Sequence, residues 1–112
     1  MVQYSFDPGQ SFAALSDATR RGILEHLGRG EATISGLAGA FGMTLSGIKK
    51  HVRILEEVGL VETVKIGRER RCRLGSRRLD DEIAWMLHHQ EALLQRLDHL
   101  DAFLDRSKGD PP

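Results

Sequence analysis

The sequence contains little of several residue types that define particular protein classes. It has one cysteine, Cys72, in 112 residues, which excludes an intrachain disulfide and a cysteine-rich zinc cluster. No stretch approaches the ~18 consecutive apolar residues of a membrane span, and the N-terminal residues lack the basic-then-apolar order of a signal peptide. Net charge is absent too, since 16 Lys+Arg balance 16 Asp+Glu. We therefore expect a single cytoplasmic domain without a membrane partner or a bound cofactor.

The zero net charge conceals a separation of charge along the chain. Residues 47–78 carry ten basic and four acidic side chains, a net charge of +6. Residues 1–46 carry a net charge of −1, and residues 79–112 a net charge of −5. Because charges of one sign gathered in one segment create a field of that sign, the basic segment is a candidate surface for binding a polyanion.

Apolar spacing predicts three short helices in the first third of the chain. The first covers residues 10–15, after a flexible leader at 1–9. The second follows Asp17 as N-cap and runs through Arg29. The third follows Ser35 as N-cap and ends before Gly42, with a left-handed glycine at its end. This third helix is rich in glycine, so it needs support from packing, or its glycines allow another helix to approach closely.

The fourth predicted helix covers residues 45–58 and has Thr44 as its N-cap. Its apolar residues recur at spacings of four, three and three, which predicts one buried stripe. The stripe consists of Ile48, Val52, Leu55 and Val58. Polar and basic residues lie on the other side of this helix.

From residue 61 the period changes to that of a β-hairpin. The segment 62–74 reverses direction at Gly67, and Cys72 and Leu74 alternate with arginines on the opposite face. Cys72 is either an inert strand residue or, beside these arginines, a thiol with a lowered pKa.

A long helix is predicted for residues 79–104, followed by a disordered tail at 106–112. Its apolar residues repeat every three or four positions in a heptad seam, and at 1.5 Å per residue the helix is roughly 39 Å long. A domain of this size does not cover so long a stripe, so we expect a second copy of the chain to do so. The predicted dimer interface consists of Phe12, Leu15, Ile83, Met86, Gln90, Leu93, Leu97, Leu100 and Leu104.

Two short helices, a tight turn and a basic hairpin follow the order of a winged helix-turn-helix. The fold class is therefore mainly α with a small β-hairpin and a long C-terminal dimerisation helix, over residues 10–105. Helix 45–58 would enter the DNA major groove, and wing 62–74 would contact the flanking backbone or minor groove. The predicted DNA-binding residues are Thr44, Leu45, Ser46, Lys49, Lys50, His51, Arg53, Arg68, Arg70 and Arg71.

A winged-helix module that binds an acidic protein is the alternative. An enzyme is not expected, because the carboxylates of Glu69 and of residues 80–82 have no paired acid or nucleophile.

Two motifs resemble those of ArsR-family bacterial transcriptional regulators. Residues 12–24, FAALSDATRRGIL, are similar to the opening signature of that family, and residues 46–61, SGIKKHVRILEEVGLV, to its recognition helix. The turn 67–70 matches the family's wing. The resemblance covers residues 11–105 and implies a homodimeric repressor that binds double-stranded DNA at a pseudo-palindromic operator. His51 matches a histidine of that family, which implies a bond to a phosphate; the alternative is a helix-surface histidine that packs on the wing.

The chain departs from the metal-sensing members of that family. The helix before the recognition helix contains no thiol, and only His88 and Glu91 have the spacing of half a metal site on the terminal helix. The resemblance therefore implies the type that senses no metal, and leaves the effector unknown.

Overall fold

The computed structural model describes residues 7–77 and 79–109, with side chains in the last helix described for residues 80–100 and Leu104. It is mainly helical with a small antiparallel sheet, which confirms the predicted fold class. Two compact units are present, one ending at Leu79 and the other beginning at Asp80. The elements are α1 Pro8–Leu15, α2 Ala18–Gly28, β1 Ala32–Thr33, α3 Ile34–Phe41, α4 Leu45–Glu57, β2 Val61–Ile66, β3 Glu69–Leu74 and α5 Asp80–Gly109.

Both terminal helices are longer than the sequence predicted. α1 begins at Pro8 because the Asp7 carboxylate accepts the N–H groups of Gly9 at 2.9 Å and Gln10 at 3.3 Å, and a proline in the first turn has no N–H to satisfy. Pro8 and Gly9 therefore belong to a helix, whereas residues 1–6 of the predicted leader lie outside the described residues. α5 continues to Gly109, so residues 106–109 of the predicted tail are helical. Residues 110–112 lie outside the described residues, and a single domain at 10–105 stays a prediction.

The core of the first unit is formed by apolar side chains from its helices and its sheet. The predicted stripe of α4 is confirmed for Ile48, Val52 and Leu55, which are at most 1% exposed, whereas Val58 is only partly buried. Burial of each such side chain stabilises the fold by about 1.5–3 kcal/mol. α4 is thereby fixed on the unit with its other side facing outward.

The start of α3 differs from the prediction. Its N-cap is Thr33, whose Oγ1 accepts the N–H of Gly36 at 2.9 Å, so Ser35 lies inside the first turn. We expected the glycines of α3 to allow another helix to approach closely. No helix does so at Gly39, because a Cβ there would meet nothing within 4 Å. A Cβ at Gly22 of α2 would lie 2.7 Å from the Phe41 ring. Gly22 therefore allows α2 and α3 to pack closely.

The predicted two-stranded hairpin is part of a three-stranded sheet in the order β1-β3-β2. Ala32 pairs with Cys72, and Thr33 pairs with Arg71. A strand of two residues shows no alternation, so sequence periodicity could not reveal β1. β1 therefore joins the middle of β3 to the segment that enters α3.

Candidate nucleic-acid interface

A three-residue turn, Gly42 to Thr44, joins α3 to α4. Gly42 adopts the left-handed φ of 62° that was predicted, and the Met43 N–H donates to the carbonyl oxygen of Ala38 at 3.0 Å. Thr44 is the N-cap of α4, as predicted, and its Oγ1 accepts the N–H of Gly47 at 3.1 Å. Because the turn is hydrogen-bonded to both helices, it fixes the first residues of α4 relative to α3.

The exposed residues of α4 lie on two strips. At about 100° per residue, Ser46, Lys50 and Arg53 lie opposite the buried stripe. Leu45 and Lys49 lie on the adjacent flank, where they line the groove described below. α4 therefore presents an outward strip and a separate strip that faces the hairpin.

The hairpin, or wing, is formed by β2 and β3. Its two-residue turn has Gly67 at a φ of 63°, a value that glycine adopts without strain. Lys65 lies directly opposite Arg70, and Thr63 lies opposite Cys72. Opposed residues share a face of the sheet. Lys65 and Arg70 therefore lie together on the face that contains the buried Cys72.

A groove of about 610 Å³ separates α4 from the wing. Four cationic side chains and one carboxylate, that of Glu69, line it. Within residues 7–77, no carboxylate lies within ion-pair distance of these four cations. The groove is therefore a strongly positive concave surface. Its cations are Lys49, Lys65, Arg68 and Arg70.

A recess of about 370 Å³ continues this groove along α4. It shares Lys49 and Arg70 with the groove, and Arg53 adds a further cation. Glu56 and Glu57 line its far end, so the positive surface is bounded by carboxylates towards the C-terminus of α4.

The other face of the wing differs in charge, because its arginines have acidic partners. Arg73 Nε lies 3.2 Å from Glu62 Oε2, and Arg71 Nε lies 3.8 Å from Glu69 Oε2. The Ser76 N–H and the Arg73 guanidinium both donate to Glu62, and these bonds lower the pKa of its carboxyl below the ordinary value. Arg71, which was predicted to contact DNA, therefore lies on the face that turns away from Lys65 and Arg70.

The His51 side chain is hydrogen-bonded to Arg20 of α2 and does not line the groove. Its Nδ1 lies 3.2 Å from an Arg20 guanidinium nitrogen. A guanidinium only donates, so Nδ1 accepts this bond and the neutral ring has its proton on Nε2. The same guanidinium donates to the carbonyl oxygens of Ala14 at 2.7 Å and Ala13 at 3.1 Å. His51 and Arg20 therefore connect α4 to the end of α1, and the expected packing of His51 on the wing is wrong.

Asp17 completes this junction as the N-cap of α2. Its Oδ2 accepts the Arg20 N–H at 3.0 Å and lies 3.8 Å from His51 Nδ1. The backbone hydrogen bond from Arg20, together with the positive charge of the Arg20 guanidinium, lowers the pKa of the Asp17 carboxyl below its ordinary value.

Cys72 is an inert residue of the sheet. Its side chain is 0% exposed, and burial raises the pKa of its thiol to about 11. A thiol with this pKa is protonated at neutral pH and is a poor nucleophile. The proposed alternative of a reactive thiol is therefore wrong.

The second unit, α5, has an exposed apolar stripe that is interrupted at Gln90. Asp80, Asp81 and Glu82 lie in its first turn, where the helix dipole favours negative charge. The apolar residues of α5 in the predicted dimer interface are between 44% and 55% exposed. These residues are Ile83, Met86, Leu93, Leu97, Leu100 and Leu104. On α1, Leu15 packs against the core and Phe12 is half-buried.

Two further classes of site are absent from the described residues. No group of three or more His, Cys, Asp and Glu residues has the arrangement of a metal site there. His88 and His89 form an edge-to-face ring pair, and His89 also stacks on Trp85 at 3.9 Å between ring centroids. In the same part of the chain, no helix has both the length and the apolar character to cross a membrane.

The groove brings together only some of the residues predicted to contact DNA. It contains Leu45, Lys49, Arg68 and Arg70, whereas Thr44, Ser46 and Lys50 lie outside it on or beside the exposed strip of α4. Arg53, at the edge of that strip, lines the recess that continues the groove. His51 and Arg71 belong to neither group. The residues predicted from the sequence did not include Lys65. Its position directly across the turn from Arg70 was the signal that could have found it.

The order of helices, turn and wing defines a winged helix-turn-helix protein, and comparisons with known proteins agree. A model of a helix-turn-helix domain matches residues 15–64. The transcriptional repressor SdpR of Bacillus subtilis is 34% identical over 77 residues, which are 69% of this chain and 86% of SdpR. A solved ArsR-like transcriptional regulator from Rhodococcus sp. RHA1 is 37% identical over 92% of each chain, with a TM-score of 0.71. A homodimeric winged helix-turn-helix DNA-binding domain from Mycobacterium bovis, a possible ArsR-family regulator, is 27% identical over 75% of this chain and 76% of its own, with a TM-score of 0.59.

The chain belongs to the ArsR family of transcriptional regulators, as its two sequence motifs indicated. The relatives named above are transcriptional regulators or DNA-binding domains. They give no support to the alternative of a module that binds an acidic protein.

Proposed function

We propose that this protein is a homodimeric repressor that binds a pseudo-palindromic DNA operator in the cytoplasm. In this proposal the outward strip of α4 contacts base edges in the major groove. The positive groove between α4 and the wing binds the phosphate backbone of one strand. The repressor function of SdpR and the homodimeric state of the Mycobacterium bovis domain support the proposal, which includes no catalytic step.

The observation that carries this proposal is the placement of like charges in the groove. Lys65 and Arg70 are directly opposed across the wing, and opposed like charges on one face of a sheet destabilise it. Lys49 faces them from α4 and adds a further positive charge. A phosphate in the groove removes this repulsion and gains charge-assisted hydrogen bonds.

The two strips of α4 have different roles in the proposal. Ser46 and Lys50 contact base edges, with Thr44 at the start of the helix and Arg53 one turn further on. Lys49 binds phosphate together with the wing cations Lys65, Arg68 and Arg70. His51 positions α4 through its bond to Arg20 and does not contact DNA.

Dimerisation through α5 completes the proposal. Its apolar stripe is about half exposed in the single chain, and pairing with a second copy would bury it. Two copies of α4 would then face successive major grooves, so we expect half-sites with centres about 10–10.5 base pairs apart or a multiple of this spacing.

Selection of bound duplexes from a random library, followed by footprinting, tests DNA recognition and identifies the operator sequence at the same time. We expect an enriched sequence with two inverted half-sites. Lys50→Ala should reduce the preference for this duplex over random DNA. Failure to enrich any sequence, or an equal preference after Lys50→Ala, would contradict the assignment of α4.

Sedimentation equilibrium tests the proposed dimer. Leu97→Glu places a charge in the apolar stripe and should give monomers at micromolar concentration. Gln95→Glu adds the same charge on the opposite side of α5 and should leave the dimer intact. A monomeric unmodified protein, or two variants with the same association constant, would contradict dimerisation through this stripe.

A further inference from the structure

One apolar side chain lies at the mouth of the positive groove. Leu45 is the first residue of α4, and its side chain is 48% exposed. The Thr44 cap holds the backbone around it, because Thr44 Oγ1 accepts the N–H of Gly47 at 3.1 Å. Leu45 is therefore an exposed hydrophobic group on a rigid part of the candidate interface.

Leu45 shares its strip of α4 with a cation and is not part of the buried stripe. Lys49 follows it by one turn, so the Cβ atoms of the two residues lie about 6 Å apart. Leu45 lies at the N-terminal end of α4, which contacts base edges in the proposed complex, whereas Lys49 lies one turn further from that end and binds phosphate. A phosphate presents only charged oxygens, so it has no apolar group that the leucine could contact.

The edges of the bases offer one apolar group in the major groove, the 5-methyl group of thymine. We propose that Leu45 contacts this methyl group and thereby selects thymine at one position of each half-site. The inference rests on the proposed function, because it requires α4 in the major groove. It adds a base preference that the cations alone do not provide.

Replacement of thymine by deoxyuridine tests this contact, because it removes the methyl group and keeps the hydrogen-bonding edge. The assay measures the affinity of the unmodified protein for the selected duplex, with each thymine replaced in turn. We expect a loss of about fourfold at one thymine per half-site, equivalent to about 0.8 kcal/mol for one buried methyl group.

The same series with Leu45→Ala should show no loss at that thymine. Ile66→Ala, at an exposed isoleucine of the wing, serves as the matched control and should retain the fourfold loss. Thermal unfolding of both variants verifies that they are folded.

The outcomes separate this inference from the proposed function. Selective binding without an effect of any deoxyuridine would overturn the Leu45 contact and leave the proposed function intact. Retention of the fourfold loss in Leu45→Ala would do the same. Absence of binding to any duplex by the unmodified protein would overturn both.

Discussion

Replacing Arg70 by alanine would remove one groove cation from each protomer, and the salt dependence of DNA binding should report this loss. The groove of each protomer has four cations, so the proposed dimer has eight. Each phosphate contact contributes about −0.9 to the slope of log K against log salt concentration, which gives about −7 for eight contacts. The affinity of the unmodified protein should therefore fall by about 10⁴-fold between 50 and 200 mM salt.

Arg70→Ala leaves six contacts, a slope of about −5.4 and a fall of about 10³-fold over the same range. Fluorescence anisotropy with a labelled duplex measures both slopes. Arg73→Ala is the matched control, because Arg73 lies on the opposite face of the wing and is paired with Glu62. Its slope should equal that of the unmodified protein. Equal slopes for Arg70→Ala and the unmodified protein, or a change in Arg73→Ala as large as in Arg70→Ala, would refute the assignment of the groove to phosphate.

Four further predictions concern other residues of the first unit. Cys72 should not react with a thiol reagent at neutral pH in the folded protein and should react fully in denaturant, since it is buried and its pKa is about 11; rapid reaction in the folded state would contradict this. Gly39→Ala should raise the free energy of unfolding measured in urea by about 0.5–1 kcal/mol, because helical glycine is unfavourable and the site is open. Gly75→Ala should lower the free energy of unfolding by about 1–3 kcal/mol, because its Cβ would overlap the carbonyl oxygen of Gly59. A Gly75→Ala variant more stable than the Gly39→Ala variant would contradict the close contact between Gly75 and Gly59. Asp17 has a lowered pKa, so its contribution to stability is present above its ordinary value of 3.8 and is lost as pH falls through the lower folded value. Urea unfolding of Asp17→Ala should therefore show a deficit at pH 7 that shrinks in acid, whereas a constant deficit would exclude the cap as its cause.

α4 and the turn of the wing were predictable because their signals are local. The Thr44 cap, the apolar spacing of Ile48, Val52 and Leu55, and the two-residue hairpin turn each depend on residues close in sequence. The cap of α3 was missed because Ser35 and Thr33 are both good capping residues. Which of them caps α3 depends on the pairing of Thr33 with Arg71, which lies far along the chain.

The sequence by itself determined the order of the helices and the hairpin, the position of the basic segment and the buried stripe of α4, because periodicity and charge depend on residues close together in the chain. Only the tertiary structure decided which cations act together. The register of β2 and β3 places Lys65 and Arg70 on the face that lines the groove with Lys49 and turns Arg71 and Arg73 towards carboxylates. The packing of α4 on α2 brings His51 to Arg20. Charge density along a chain does not specify these partners, because a shift of one residue in strand register moves every side chain to the other face of the sheet.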